Sequence, residues 1–461
     1  MTGDTRTRYA LVGTGARAEM FTRALVTEHA DRAQLVALAD PNTTRMAAHN
    51  DRLVEWGAAP VPTWRITAAD DTFRRMLDTE QVDTVIVCTV DRYHADYVVA
   101  ALQAGRDAIT EKPMTTDVTG CRRILDAVAQ TGRRVTVTFN YRYNPVHEKV
   151  RELLASGVIG EIGSVHFEWL LDVRHGADYF RRWHRDKANS GGLMVHKATH
   201  HFDLVNWWID GTPVEVYARG RLFFYGPEGQ RHGYARQYAR ATAAPDAAGD
   251  PFALDLASHP RLRALYLDAE HEDGYHRDQN VFGPGVTIED DMSVLVTYAS
   301  GATMTYHLTA YSPWEGYRLM VNGSKGRLEL EVVENDYVSP TTAATVKGEA
   351  GSAALHGDTA PPEDGSVRLT VHPFWEKPRQ IQVPHERTGH GGADARMTAA
   401  IFGPSTGPDP LGRSATERDG AASLLVGLAA NESFRTGAPV KVADLLAPYT
   451  LTDLVPGHST R

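Results

Sequence analysis

Cysteine is nearly absent: only Cys88 and Cys121 occur in 461 residues. No disulfide framework can therefore hold this chain, and a reducing cytoplasm is the compartment that suits it. Long apolar runs are missing too. Stretches such as Val82 to Val90 are broken by Asp83 and Thr84 and fall far short of the ~18 residues of a membrane span. The polar opening, Met1 to Tyr9, has no apolar core of the kind a secretion signal needs. Basic runs are lacking as well. With 48 Lys and Arg against 58 Asp and Glu the net charge is -10, which disfavours nucleic acid or an anionic membrane as partner. What is present is globular in type, with 42% apolar and 23% charged residues. At roughly 150 residues per domain the length allows two or three domains.

Residues 1–140 alternate short apolar runs with amphipathic stretches: Tyr9 to Val12 then Ala18 to His29, Gln34 to Ala39 then Thr43 to Trp56, Val82 to Thr89 then His94 to Ala104. Such alternation predicts a doubly wound parallel sheet with helices on both faces, an α/β Rossmann-type domain. From 141 to 461 the pattern changes. Gly163 to Val173, Val214 to Phe224, Met292 to Ala299, Ala302 to Leu308 and Gly326 to Val332 predict an α+β domain on a large, mainly antiparallel sheet. Two insertions interrupt it, at about 225–285 and 336–366. One face of so large a sheet lacks helices of its own, and covering it favours a homo-oligomer.

Gly13-Thr14-Gly15-Ala16-Arg17-Ala18 stands between a predicted strand and a predicted helix, as G-x-G-x-x-A. Gly13 permits the tight turn, Gly15 lets backbone approach a pyrophosphate, Ala18 allows close helix packing, and the helix start offers unpaired N–H groups to the anion. Asp40 ends the second strand 22 residues after Ala18, where a carboxylate bonds a ribose 2'-OH and repels a 2'-phosphate. NAD is therefore expected over NADP, with Arg45 nearby as the feature that runs the other way.

Glu111-Lys112-Pro113 follows a further strand at the carboxyl end of the parallel sheet, where ligands of such folds sit. With it stand Thr89 to His94 (TVDRYH), Asn140 to Pro145 (NYRYNP) and the run Gly191 to Asp203 (GGLMVHKATHHFD). Through these motifs nearly the whole chain resembles the Gfo/Idh/MocA family, the glucose-fructose oxidoreductase and inositol dehydrogenase group. The resemblance implies an NAD-dependent enzyme acting on a sugar or polyol, with Lys112 and His200 as catalytic pair. It also implies cofactor contacts from Gly13, Gly15, Ala16, Arg17, Ala18, Asp40, Thr89, His94, Glu111 and Lys112. Arg142, Tyr143, Lys197 and Asp203 within these motifs and His390, in a run that some relatives bring to the substrate, are candidate substrate contacts; Trp183 and His184 join them for their stacking and hydrogen-bonding groups, and Asp203, three residues beyond His200 on one helix face, is also a candidate to orient its imidazole.

The chain departs from the family's pattern in two places. TVDRYH replaces the usual T-P-N-x-x-H, and His196 stands four residues before His200, where relatives commonly carry an acid. His196 is therefore a third catalytic candidate. His196 and His200 have metal-ligand spacing, but Lys197 stands where the zinc motif needs Glu, and no metal is expected. Three functions stay open at this level: a sugar or polyol dehydrogenase, a redox-neutral NAD-dependent glycosidase, and a non-catalytic NAD sensor. In the insertion at 225–285, His276, Arg277 and Asp278 are the candidate lid contacts.

Overall fold

The computed structural model describes residues 5–340, 366–383, 392–404 and 407–450. Its first sheet contains β1 (Thr7–Val12), β2 (Ala33–Asp40), β3 (Thr63–Arg65), β4 (Thr84–Val87), β5 (Asp107–Thr110) and β6 (Val135–Val137), all parallel to their neighbours. Strand order β6-β5-β4-β1-β2-β3 reverses between β1 and β4, opening a crevice beyond their carboxyl ends. Helices cover both faces, which is why β2 reads AQLVALAD, almost without polar interruption. Side-chain oxygens of Asn42, Asp70 and Asp117 cap three of these helices by accepting backbone N–H bonds.

A seventh strand in this sheet comes from far along the chain. Ala415–Thr416 (β15) pairs antiparallel with β6. The helix 417–436 that follows packs Gly420 against Met114 and Val137.

The second sheet has nine strands in the order β14-β13-β12-β11-β7-β10-β9-β8-β16. They are β7 (Ile162–Asp172), β8 (Pro213–Arg221), β9 (Asp291–Tyr298), β10 (Thr303–Ser312), β11 (Glu315–Gly323), β12 (Gly326–Asn335), β13 (Ser366–Pro373), β14 (Arg379–Ile381) and β16 (Val440–Lys441). All pairs are antiparallel except β7 with β10. Alternation sends Val165, Phe167, Trp169 and Leu171 into the core, beneath helix 198–209, whose His201 stacks on Trp169 at 4.0 Å. The opposite face, which sequence reading assigns to association, carries exposed His166, Ser293, Leu295, Thr305 and Arg318 and is mostly polar. No helix among the described residues is long and apolar enough to cross a membrane.

The insertion at 225–285 is a chain of short helical turns rather than a free loop. Leu254, Leu256, Leu262, Leu265 and Tyr266 form an apolar cluster with Ala16 and Ala48 of the first domain. The insertion thus straps the glycine loop from outside its own domain. Most of the segment 336–366 lies outside the described residues.

Candidate active site

Between the two domains lies a cavity of about 560 Å³, lined from Gly13 and Asp40 at one end to Lys112, Trp183, His184, His196, Lys197 and His200 at the other. Gly13 has φ +92°, and a Cβ there would lie 2.6 Å from the Cys88 carbonyl and the Thr89 nitrogen, so only glycine fits this turn. His49, which burial pushes down to about 4 and so keeps neutral, bonds the Thr14 carbonyl through Nε2 at 2.9 Å. That bond holds the glycine loop from below. Asp40 accepts the Thr14 N–H at 2.7 Å and the Asn42 N–H at 2.8 Å, which fixes its carboxylate at the end of β2. Glycine turn, helix start and acid are thus assembled as a dinucleotide requires, and the residues fit NAD.

The strap touches this end of the cavity. The Ala16 N–H donates to the Tyr266 hydroxyl at 3.0 Å, at the helix start that would meet a pyrophosphate. Arg45 is tied to Asp273 at 2.6 Å and to the Leu265 carbonyl at 3.0 Å, while Glu272 accepts from the N–H groups of Thr43 and Thr44. Arg277 and Asp278 do not reach the cavity: they are buried in ion pairs with Asp178 and Arg240, and His276 is exposed. Tyr266, Asp273 and Tyr275 line it instead. Nothing in the spacing of the insertion marks those three, because their partners lie more than 200 residues away.

Arg17 pairs with Glu111 at 2.8 Å and with Asp394 at 3.3 Å, and both carboxylates raise its pKa. His94 holds the turns together, its ring nitrogens 2.8 Å from the Pro113 carbonyl and 3.1 Å from that of Thr89. Ala18 is buried under the loop and makes no part of the cavity wall.

Lys112 projects from the turn after β5. Burial pushes its ammonium down to about 8, against the pull of Asp91 and Glu111. His200 sits at the start of helix 198–209 and stacks on Tyr141, ring centroids 4.5 Å apart, with Trp169 on the other side of Tyr141 at 5.5 Å. Lys197 donates to the Tyr141 hydroxyl at 3.1 Å. Tyr141 therefore orders both neighbours, a role that NYRYNP does not disclose by itself. Trp183 and His184 stack at 3.5 Å and meet His196 edge-on. Burial, with Arg182, His196 and Lys112 nearby, keeps His184 well below the usual imidazole range.

Three expected substrate contacts are displaced from the cavity. Arg142 and Asp203 form a two-pronged ion pair at 2.6 and 2.8 Å, each at most 3% exposed, and Arg142 also holds Asp419 at 2.9 Å. A buried guanidinium needs carboxylates more than a helix face needs an orienting acid, so Asp203 turns to Arg142 rather than to His200. Tyr143 packs beneath Arg413, among the core residues of the first domain. His390, with the run Gly389 to Gly391, lies outside the described residues.

A doubly wound domain with a glycine turn, joined to an open-faced mixed sheet across a cavity bearing a half-buried lysine, defines an NAD-binding oxidoreductase. Two family models match, "Oxidoreductase family, NAD-binding Rossmann fold" over residues 7–139 and "Oxidoreductase family, C-terminal alpha/beta domain" over residues 151–442, and the chain belongs to this Gfo/Idh/MocA family. The Bacillus subtilis protein YteT, named as an oxidoreductase, is 34% identical over 446 residues, 94% of this chain and 97% of its own. An inositol 2-dehydrogenase of Rubrobacter xylanophilus is 29% identical over 227 residues, 48% of this chain and 57% of that one. Among solved structures, the WlbA dehydrogenase of Bordetella pertussis in complex with NADH and UDP-GlcNAcA shares the fold, with a TM-score of 0.58 at 19% identity over 95% of this chain and 98% of that one.

Proposed function

We propose that this protein interconverts a secondary hydroxyl and a ketone on a sugar or polyol, with NAD as redox partner and Lys112 and His200 as catalytic pair. One observation carries the reading: Lys112 from the first domain and His200 from the second line the same cavity as the glycine turn. NAD bound there supplies the hydride acceptor. The chain's own residues manage the oxygen. The Lys112 ammonium stabilises developing negative charge on the reacting oxygen, and the His200 imidazole accepts its proton. An aromatic wall of Tyr141, Tyr179 and Trp183 suits a sugar ring, whose C–H faces stack on such side chains. The inositol 2-dehydrogenases among the relatives and the sugar nucleotide held by WlbA support the same class.

Because His196 gives the site a further imidazole beside Lys112, redox-neutral glycoside cleavage is the second reading. Incubating free sugars and aryl glycosides with NAD, while following both NADH and released phenol, separates the two. One NADH per oxidised sugar is expected; many sugars released per cofactor without accumulation of NADH would overturn the first reading.

NAD is favoured over NADP in this reading. Asp40 and Asp273 flank Arg45, so the cation that would hold a 2'-phosphate is already engaged at 2.6 Å. By calorimetry NAD should bind more tightly than NADP, and Asp40→Ala should narrow the gap by about tenfold, the effect of ~1.4 kcal/mol. Equal affinities in the parent protein would refute the preference.

A further inference from the structure

Lys112 is held by a chain of side chains set in the cavity wall. Asp91, in the turn after β4, and His196, at the end of helix 193–196, are both buried, and the Asp91 carboxylate lies 2.5 Å from His196 Nδ1. On its other side the ring's Nε2 is 3.2 Å from Lys112 Nζ, which also donates to the His196 carbonyl at 3.1 Å. An ionised carboxylate only accepts and an ammonium only donates. With the carboxylate ionised and the amine protonated, the bond order is fixed: Lys112 donates to Nε2, and Nδ1–H donates to Asp91. Two of the three ammonium hydrogens are committed in this way, and the third is left for the cavity that Lys112 lines.

The surrounding charges show why the carboxylate matters. Lys112 also faces Arg17, Glu111 and Lys197. His196 faces Arg182, Lys197 and His94, with His184 and Tyr179 against its ring. Asp91 faces Glu111 and Arg182. Of the two carboxylates near Lys112, Glu111 is engaged by Arg17 at 2.8 Å, whereas Asp91 connects to it through the imidazole. Burial lowers Lys112 and His196 and raises Asp91, so each isolated charge is costly, while Lys112 and Asp91 each favour the other's charged form across the neutral ring between them. The two departures in the sequence, Asp91 within TVDRYH and His196 before His200, face one another across this bond.

We propose that Asp91 is a positioning residue that, through His196, keeps Lys112 charged and aimed at the reacting oxygen. The inference rests on the assignment of Lys112 to the reaction, and its test has a part that does not. Without Asp91 the ammonium loses its counter-charge while Arg17, Arg182 and Lys197 remain. Lys112 then releases its proton at lower pH.

In the full chain without substrate, the pH dependence of Lys112 labelling by an amine-reactive acylating reagent, read by peptide mass spectrometry, should show half-protonation near pH 8. In Asp91→Asn that midpoint should fall by about one pH unit, the lower end of the effect of an adjacent opposite charge. In turnover, the alkaline limb should move down equally, with kcat reduced about 5-fold at pH 8. His196→Gln should shift both readouts the same way, and the double variant should shift them no further than either single one, because both act along one path. Thermal melting confirms that each variant is folded, and His196→Gln carries the test if Asp91→Asn is not. Labelling curves and pH profiles that superimpose on those of the parent would overturn the proposal. A labelling shift in a protein that oxidises no sugar would uphold the link from Asp91 to Lys112 and count instead against the proposed function.

Discussion

Lys112→Ala and His200→Ala should each lower turnover about 10² to 10⁴-fold, the range for positioned acid, base and charge-stabilising groups, while NAD affinity stays within a few-fold of the parent. The asymmetry follows from the cavity. The cofactor end is built by Gly13, Asp40 and the strap, whereas Lys112 and His200 stand at the other end. Truncating His200 leaves Tyr141 stacked on Trp169, so the wall keeps its shape. Near-parental turnover in either variant, measured with NAD saturating, would remove that residue from the reaction.

Arg142→Ala should cost about 3–5 kcal/mol of folding stability, because the buried Asp203 and Asp419 both lose their cation. Burial already pushes Asp203 up to about 6 with Arg142 present. Asp203 lies on the helix that presents His200, and Asp419 lies in the first turn of helix 417–436, so Arg142 ties the two together. Urea unfolding should therefore show a lower midpoint at unchanged slope. A variant as stable as the parent but with a raised KM would return Arg142 to the substrate, where sequence reading places it.

Local signals carried much of this architecture into the sequence. Short apolar runs and helical patterns mark β1, β2, β4 and their helices, and the strand, glycine turn, helix and Asp40 together mark the cofactor end. Strand β11 escaped because Glu315 to Gly323 follows β10 after only Pro313 and Trp314, and its inward Tyr317, Leu319 and Val321 gain meaning only beside β7 and β12. In the site, residues within one motif were legible: Lys112, His196 and His200 all line the cavity. Relations between distant segments were not. Asp91 meets His196 across 105 residues, Arg142 meets Asp203 across 61, and Tyr266 meets Ala16 across 250. No spacing rule reports which of two carboxylates a buried cation will take. That choice is made by three-dimensional desolvation.

The antiparallel strand β15 has a bearing on how the chain folds. A fragment ending at residue 140 would contain the whole glycine turn and six strands, yet β6 would present a bare edge, and Met114 and Val137 would lose helix 417–436. Arg17 would lose Asp394, and the Ala16–Ala48 surface would lose the strap's leucines. An open parallel edge with exposed apolar side chains is a template for pairing with another copy. The sheet of the nucleotide-binding half is thus completed by residues 415–416, which follow every strand of the second sheet except β16. Contacts from Asp394, Ala415–Thr416 and Gly420 thus join the region of one matched family domain to that of the other.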